Sequence, residues 1–303
     1  AVKNVHCAEL VAVASREPER AAAFAKTFDI PHVFFGYESM AQADLVDAIY
    51  IATPHPFHMP CAQLFLNAGK HVLCEKPMCV NARQAQELKE CAEKNGVFLM
   101  EAMWTRFLPQ YRKAKQWIEE GRIGKIQAAT SVVGFKAQVG PEHRLVNPEL
   151  AGGAMYDIGV YAIDPLAYLV GEPIEDSLGV WRKYPATGVD ERATVILRFA
   201  SCDAMIQCMF TANPKEYTII NGSDVVPVNF AWAVILAEMI RETNKYDGRE
   251  IGEDQIQSIL ENTAKNVRKI MPVYSNKRIR EDIRTSYETM RQIAYREGVT
   301  TDV

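Results

Sequence analysis

The residue best placed to do chemistry is Lys76, in the tetrapeptide Cys74-Glu75-Lys76-Pro77. The apolar run before it predicts a buried parallel strand, and open α/β sheets bind ligands at the C-terminal ends of such strands. A lysine there is partly desolvated beside the Glu75 carboxylate, so its ammonium can donate or relay a proton near neutral pH. Pro77 fixes the backbone that follows, and an X-Pro bond there can be cis. A solvated Glu–Lys pair on a loop would read the same way.

The second dense segment is Gly152-Gly153-Ala154-Met155-Tyr156-Asp157-Ile158-Gly159-Val160-Tyr161-Ala162-Ile163-Asp164. Spacings of four and three put Asp157, Tyr161 and Asp164 on one helix face. Polar groups on an apolar helix must face water, partners or a cleft. A tyrosine beside an ammonium can serve as general acid or base. The plainer reading makes Asp157 a partner of the helix dipole and Tyr161 a core residue.

A third segment, Thr53-Pro54-His55-Pro56-Phe57-His58, ends another strand run and opens a helix. Such a turn offers backbone N–H groups to a phosphate or ribose. His55 and His58 have no third metal ligand in sequence, so no metal is expected. Trp104, Phe107 and Phe135 supply aromatic walls or simply core.

These residues need a frame, and the first hundred residues provide one. Buried strands are expected at 9–15, 46–53, 71–74 and 97–101. Helices are expected at 18–28, 57–68 and 82–95, with Pro18 and Asn81 as start signals and Gly69 and Gly96 as stops. Continuous apolar strands between amphipathic helices mean a parallel sheet covered on both faces, the layout of a dinucleotide-binding domain. In that layout Ser15 and Arg16 end the strand that meets the adenosine ribose. A hydroxyl and a cation there suit a 2′-phosphate, so NADP is favoured and NAD remains open; Glu17 is the contrary feature. Arg16 also reads as a surface charge at a helix start.

After Trp104 the rhythm changes. A helix at 108–120 precedes strands at 125–139, 178–184, 192–199, 203–211 and 216–220, with a helix at 153–169 between the first two. Short turns between successive strands predict an open, mostly antiparallel sheet. Three helices are expected over 229–297. The division is therefore a Rossmann-like domain at 1–103 and an α+β domain at 104–303.

Composition excludes other classes. The 303 residues are 48% hydrophobic and 24% charged, an ordinary globular balance. Thirty-four Lys and Arg against 38 Asp and Glu give a net charge of −4. No basic field exists to attract nucleic acid or anionic lipid. The longest apolar stretch, 230–237, is too short to span a membrane. Seven scattered cysteines without a CxxC pair read as reduced thiols of a cytoplasmic protein, and no signal peptide is read at the start.

The segments AELVAVASR, VDAIYIATPHPFH, AGKHVLCEKP, AGGAMYDIGVYAID and TGVDERATVILRF, in this order, resemble one family. It is the glucose–fructose oxidoreductase / inositol dehydrogenase / rhizopine-catabolism (Gfo/Idh/MocA) family of NAD(P)-dependent oxidoreductases. CEKP, EAMWTRF, DIGVYAID and TGVD are most similar to its dimeric trans-dihydrodiol dehydrogenase branch. The resemblance covers about residues 9–212. It implies a Rossmann domain, an open-sheet second domain and a homodimer or higher homo-oligomer, often through that sheet. It also implies a catalytic Lys76, and Tyr161 as proton donor or acceptor beside Asp157. Cofactor contacts would fall on Ser15, Arg16, Thr53, Pro54, His55, His58, Glu75, Lys76, Trp104 and Arg106, and substrate contacts on Trp104, Phe135 and Tyr161.

Two departures stand out. The family's first strand and G-x-G-x-x-G turn have no counterpart, so the middle of the sheet is expected to lie open and the sequence reads as incomplete there. The stretch after Ala212 matches only loosely. The function expected is hydride transfer between nicotinamide and a secondary alcohol or carbonyl of a sugar, polyol or cyclic trans-diol. A non-catalytic dinucleotide sensor on the same fold is the rival. A dehydrogenase of phosphorylated or acidic sugars is a third reading, for which Arg106, Arg144, Arg182 and Lys183 are available cations.

Overall fold

The computed structural model describes residues 7–224. The helices expected over 229–297 lie outside the described residues.

The first part alternates strand and helix: β1 (Ala12–Ser15), α1 (Pro18–Phe28), β2 (His32–Phe35), α2 (Tyr37–Ala41), β3 (Ala48–Ile51), α3 (His58–Asn67), β4 (His71–Cys74), α4 (Ala82–Asn95) and β5 (Leu99–Glu101). Every pairing is parallel. The strands form two sheets, β1 with β2 and β3-β4-β5, and among the described residues β1 and β3 do not pair. The sequence expectation passed over β2 and α2. Strand β2 has four residues and none is buried, so it lacks the apolar run that marks β3.

Local signals explain the helix ends. The Asn81 side chain accepts from the Gln84 N–H at 2.9 Å and starts α4; Gly96, at φ 64°, stops it. Helix α1 begins with Pro at its first position, where the missing N–H costs nothing. Ile49, Ile51, Val72 and Cys74 then bury against Phe65, Leu66 and Leu88 to make the core. Each fully buried side chain of this kind contributes roughly 1.5–3 kcal/mol of transfer free energy.

The second part holds α5 (Pro109–Glu119), β6 (Ile126–Gly134), a π-helical turn (Met155–Gly159) running into α6 (Val160–Val170), β7 (Asp176–Lys183), β8 (Asp190–Arg198), β9 (Asp203–Met209) and β10 (Tyr217–Gly222). Its sheet has the order β10-β6-β9-β8-β7, antiparallel except where β6 runs parallel to β9. Helix α6 covers one face, packing Ala162 and Leu166 on Ala129, Leu197, Ala204 and Ile206. Leu178, Val180, Trp181, Ile196, Met205 and Ile219 stay exposed on the sheet. Among the described residues no helix is long and apolar enough to cross a membrane, and all seven cysteines are unpaired.

Candidate active site

Strand β4 ends at Cys74, which is fully buried, and burial pushes its thiol up out of the reactive range. Glu75 and Lys76 therefore emerge from the packed edge of the sheet. The Glu75 carboxylate accepts from the Tyr50 hydroxyl and, at 3.2 Å, from the Lys76 N–H. The Lys76–Pro77 peptide is cis. The turn is braced twice more. The Met78 N–H donates to Glu101 at 2.8 Å. His58 faces the Pro77 carbonyl at 2.8 Å and the Thr53 carbonyl at 2.7 Å.

Lys76 reaches across to the second part of the chain. Its ammonium donates to the Asp157 carbonyl at 2.5 Å and lies 3.6 Å from the Asp157 carboxylate. The two side chains are 13% and 7% exposed, so the pair is largely shielded from water. The same ammonium sits 4.8 Å from the centre of the Tyr161 ring. Asp157 lies in the π-helical turn and Tyr161 in the first turn of α6, so the expected single helix face is split over two helix types. All three polar residues of that face still converge on the cleft. Asp157 meets Lys76, the Tyr161 hydroxyl accepts from the Trp104 indole N–H at 3.0 Å, and Asp164 takes the Arg106 guanidinium at 2.6–2.7 Å.

The electrostatics set roles. Burial raises the Tyr161 phenol above its usual value, the Trp104 hydrogen bond pulls it down, and the Glu75 and Asp157 carboxylates push it up. The Tyr161 phenol is thus protonated at neutral pH, and its oxygen is held by the Trp104 N–H. Burial lowers the His55 imidazole, whose Nδ1 faces the Ala151 carbonyl at 3.2 Å and whose Nε2 is 4.0 Å from Asp157. Both candidate metal histidines are thus engaged with backbone carbonyls. The Arg106 guanidinium is raised by its hydrogen bond to Asp164.

At the other strand ends the structure is simpler. The Ser15 hydroxyl accepts from the Glu17 N–H at 3.1 Å. Arg16 is exposed, stacks 4.5 Å from the centre of the Phe57 ring and lies near enough to Tyr37 to pull its phenol down against the burial that raises it. The Thr53 hydroxyl is buried with no partner but the neighbouring Cys61 thiol. Pro54 precedes the 3-10 turn His55–Phe57 and its carbonyl accepts from the Phe57 N–H at 2.9 Å. Phe135 stands apart: it follows β6, and its ring packs 5.2 Å from Phe210. The exposed Arg16 cation just beyond β1 fits an anionic group of a nucleotide lying across the strand ends. Ser15, Arg16 and Thr53 would hold its adenosine side, with Lys76 and Tyr161 at the reacting end.

Tyr50 and Asp190 were not singled out from sequence, and Arg144 was named only as an available cation. Tyr50 holds Glu75. Arg144 donates to the Asp157 carboxylate at 2.7 Å, so Asp157 is shared between two cations. Asp190 accepts from the Met155 N–H at 2.7 Å. Arg144 and Asp190 act over 13 and 35 residues, beyond any periodic signal. Only the TGVD segment marked Asp190's neighbourhood.

A parallel α/β part whose strand-end lysine meets a tyrosine-bearing helix packed on an open sheet is a Rossmann-like fold joined to an α+β part. Comparison with known proteins narrows the class. Residues 1–103 match the model described as an oxidoreductase family with an NAD-binding Rossmann fold, and residues 111–225 match the GFO/IDH/MocA C-terminal domain. The chain belongs to the Gfo/Idh/MocA oxidoreductase family. It is 33% identical to the mouse (Mus musculus) trans-1,2-dihydrobenzene-1,2-diol dehydrogenase over 81% of this chain and 74% of that protein. It is 38% identical to the Bacillus subtilis scyllo-inositol 2-dehydrogenase (NADP(+)) IolU over 71% of this chain and 66% of that one. Among solved structures, a levoglucosan dehydrogenase complexed with NADH and levoglucosan superposes with a TM-score of 0.65 at 26% identity. That match covers 71% of this chain and 62% of the other. The chain thus spans about two-thirds of the length of the relatives it matches.

Proposed function

We propose that this chain carries the cofactor and substrate cleft of an NADP-favouring dehydrogenase. It would act on a secondary alcohol or carbonyl of a sugar, polyol or cyclic trans-diol. One observation carries the reading: the shielded Lys76 ammonium is clamped between Asp157 and the Tyr161 ring, across the junction of the two parts. A nicotinamide bound there supplies the hydride acceptor or donor.

The chain's own groups handle the proton. In reduction Tyr161 donates its hydroxyl proton to the substrate oxygen and is left as a phenolate; in oxidation that phenolate takes the substrate's hydroxyl proton and returns to the phenol. Lys76 stabilises the alkoxide or phenolate that develops, in a site where few waters screen its charge. Asp157 holds the lysine in place. Trp104 orients Tyr161 and lines the substrate side; Phe135, packed on Phe210, stands outside this cluster. Ser15, Arg16, Thr53, Pro54, His55, His58, Glu75 and Arg106 complete the cofactor side. Arg16 tilts the preference to NADP; the Bacillus relative is named for NADP(+), while the levoglucosan dehydrogenase structure holds NADH. The exposed apolar face of the β10-β6-β9-β8-β7 sheet suits a homodimer, and the unpaired cysteines suit a cytoplasmic compartment.

The test is titration of the full-length natural protein with NADPH and NADH by tryptophan fluorescence, then a polyol, sugar and trans-diol screen read by nicotinamide absorbance. NADPH binding with turnover on one class is the expected result. Tight nucleotide binding without turnover on any class would favour a sensor, and no binding of either nucleotide would end the oxidoreductase reading.

A further inference from the structure

We propose that Asp190 is a positioning residue for the Lys76–Asp157 pair, acting through the backbone of residues 153–155. The proposal rests on the reading above, in which Lys76 and Tyr161 perform the proton step.

A helix begins with N–H groups that have no partner inside it, and a nearby residue just before the helix normally satisfies them. Here the acceptor comes from 35 residues further along the chain, at the first position of β8. The Asp190 carboxylate takes the Met155 N–H at 2.7 Å, at the first residue of the π-helical turn. The Ala154 amide, next to Met155, also favours the ionised carboxylate. Two residues later, Asp157 presents its carbonyl to Lys76 at 2.5 Å and its carboxylate to Lys76 and Arg144. The phase of this turn therefore decides where the Lys76 acceptor points, and Asp190 sets that phase.

The glycines show how close the contact is. A Cβ on Gly153 would lie 2.2 Å from the Asp190 carboxylate, and Gly153 has φ +131°, a region that side chains avoid. Gly152 makes a matching approach on the other side. A Cβ there would meet the Arg144 carbonyl at 2.9 Å and the Asn147 N–H at 2.8 Å. The glycine pair lets a strand-borne carboxylate and the Arg144 loop grip the same turn from both sides. Burial raises the Asp190 carboxyl, while the Met155, Asp190 and Ala154 amides favour its ionised form.

Asp190 touches neither Lys76 nor any reacting atom, so its effect must appear as misplacement. An error of ~1 Å in a catalytic group costs about a hundredfold in rate. Asp190→Ala removes the acceptor. Asp190→Asn keeps a carbonyl oxygen where the Met155 N–H needs one. Asp190→Ala is expected to lower kcat roughly ten- to a hundredfold while the NADPH dissociation constant stays where it was. Asp190→Asn is expected to recover most of the loss. A second readout needs no turnover: competitive acetylation of Lys76 in the folded protein, followed by peptide mass spectrometry. Loss of the Asp157 clamp should make Lys76 several-fold more reactive in Asp190→Ala.

If the parent protein turns nothing over but Lys76 reactivity rises in Asp190→Ala, the functional reading fails and the positioning role stands. Unchanged kcat and unchanged Lys76 reactivity in an active protein would overturn the positioning role. So would a lower melting temperature with kcat per folded molecule preserved. Should Asp190→Ala not fold, Asp190→Glu pushes the carboxylate one methylene further and carries the same two predictions.

Discussion

The ends of β1 and β4 occupy equivalent places, at the C-terminal edge of parallel sheets, and each presents a cation. Their settings differ. Arg16 is exposed and rests on the face of Phe57, within the first part of the chain. Lys76 is 13% exposed and is tied to Asp157 across the junction. A solvated guanidinium held flat by an aromatic ring is preorganised to meet an anion and lets it go again. A desolvated ammonium fixed by a carbonyl is suited to stabilise charge that exists only during a reaction. In the proposed reading, the strand ends of the two parallel sheets hold a recognition end and a reaction end. Burial, more than residue type, separates them.

The comparison breaks most sharply at Lys76. Lys76→Met keeps the length and apolar stem of the side chain and removes its charge. If this is the reaction end, kcat falls by about 10²–10⁴, the range for a positioned acid–base group. NADPH binding by fluorescence stays nearly unchanged. Parallel loss of binding and turnover would make Lys76 part of the recognition end and erase the distinction.

The smaller effect belongs to Arg16. Hydrogen bonds to charged groups contribute about 1.5–3 kcal/mol, so Arg16→Ala should weaken NADPH roughly ten- to a hundredfold. NADH, which has no 2′-phosphate, should hardly notice. Titration of both nucleotides against the same variant decides it; equal weakening of the two would refute the phosphate contact.

Much of this frame could be read from sequence, and particular residues show why. Helix α4 is bounded by two strong local signals, Asn81 and Gly96, and lies where they predict. Lys76, Asp157 and Tyr161 were visible because each sits at a strand end or on a regular helical spacing. Strand β6 was expected to run to residue 139 and ends at Gly134, yet the Phe135 and Ala137 N–H groups still bond the Met209 and Phe210 carbonyls. The apolar pattern persists there although the ladder has become irregular. Arg144 and Asp190 were harder. Their partners are fixed by two glycines and a loop, and no local propensity encodes a contact made across a fold. The π-helical turn at Asp157 was likewise hidden, since its residues read as α-helix.

The smallest expected effect concerns stability and again separates the two ends. His55 borders the reaction end, with His58, Asp157 and Lys76 around it, and burial lowers its imidazole below the ordinary value. In the unfolded chain a histidine takes its proton near pH 6.5. Above that pH neither state is protonated at His55 and its contribution is fully present. As pH falls below about 6.5 the unfolded chain binds the proton first, so stability is lost through the folded value. The slope from one such group cannot exceed about 1.4 kcal/mol per pH unit. Urea midpoints measured from pH 8 downward should therefore decline on the acid side, and His55→Gln should flatten that decline. Arg16→Ala removes no group that titrates in this range and should leave the slope as it is. A His55→Gln protein with the parent slope would place the acid sensitivity elsewhere, and the reaction end would lose this mark of its burial.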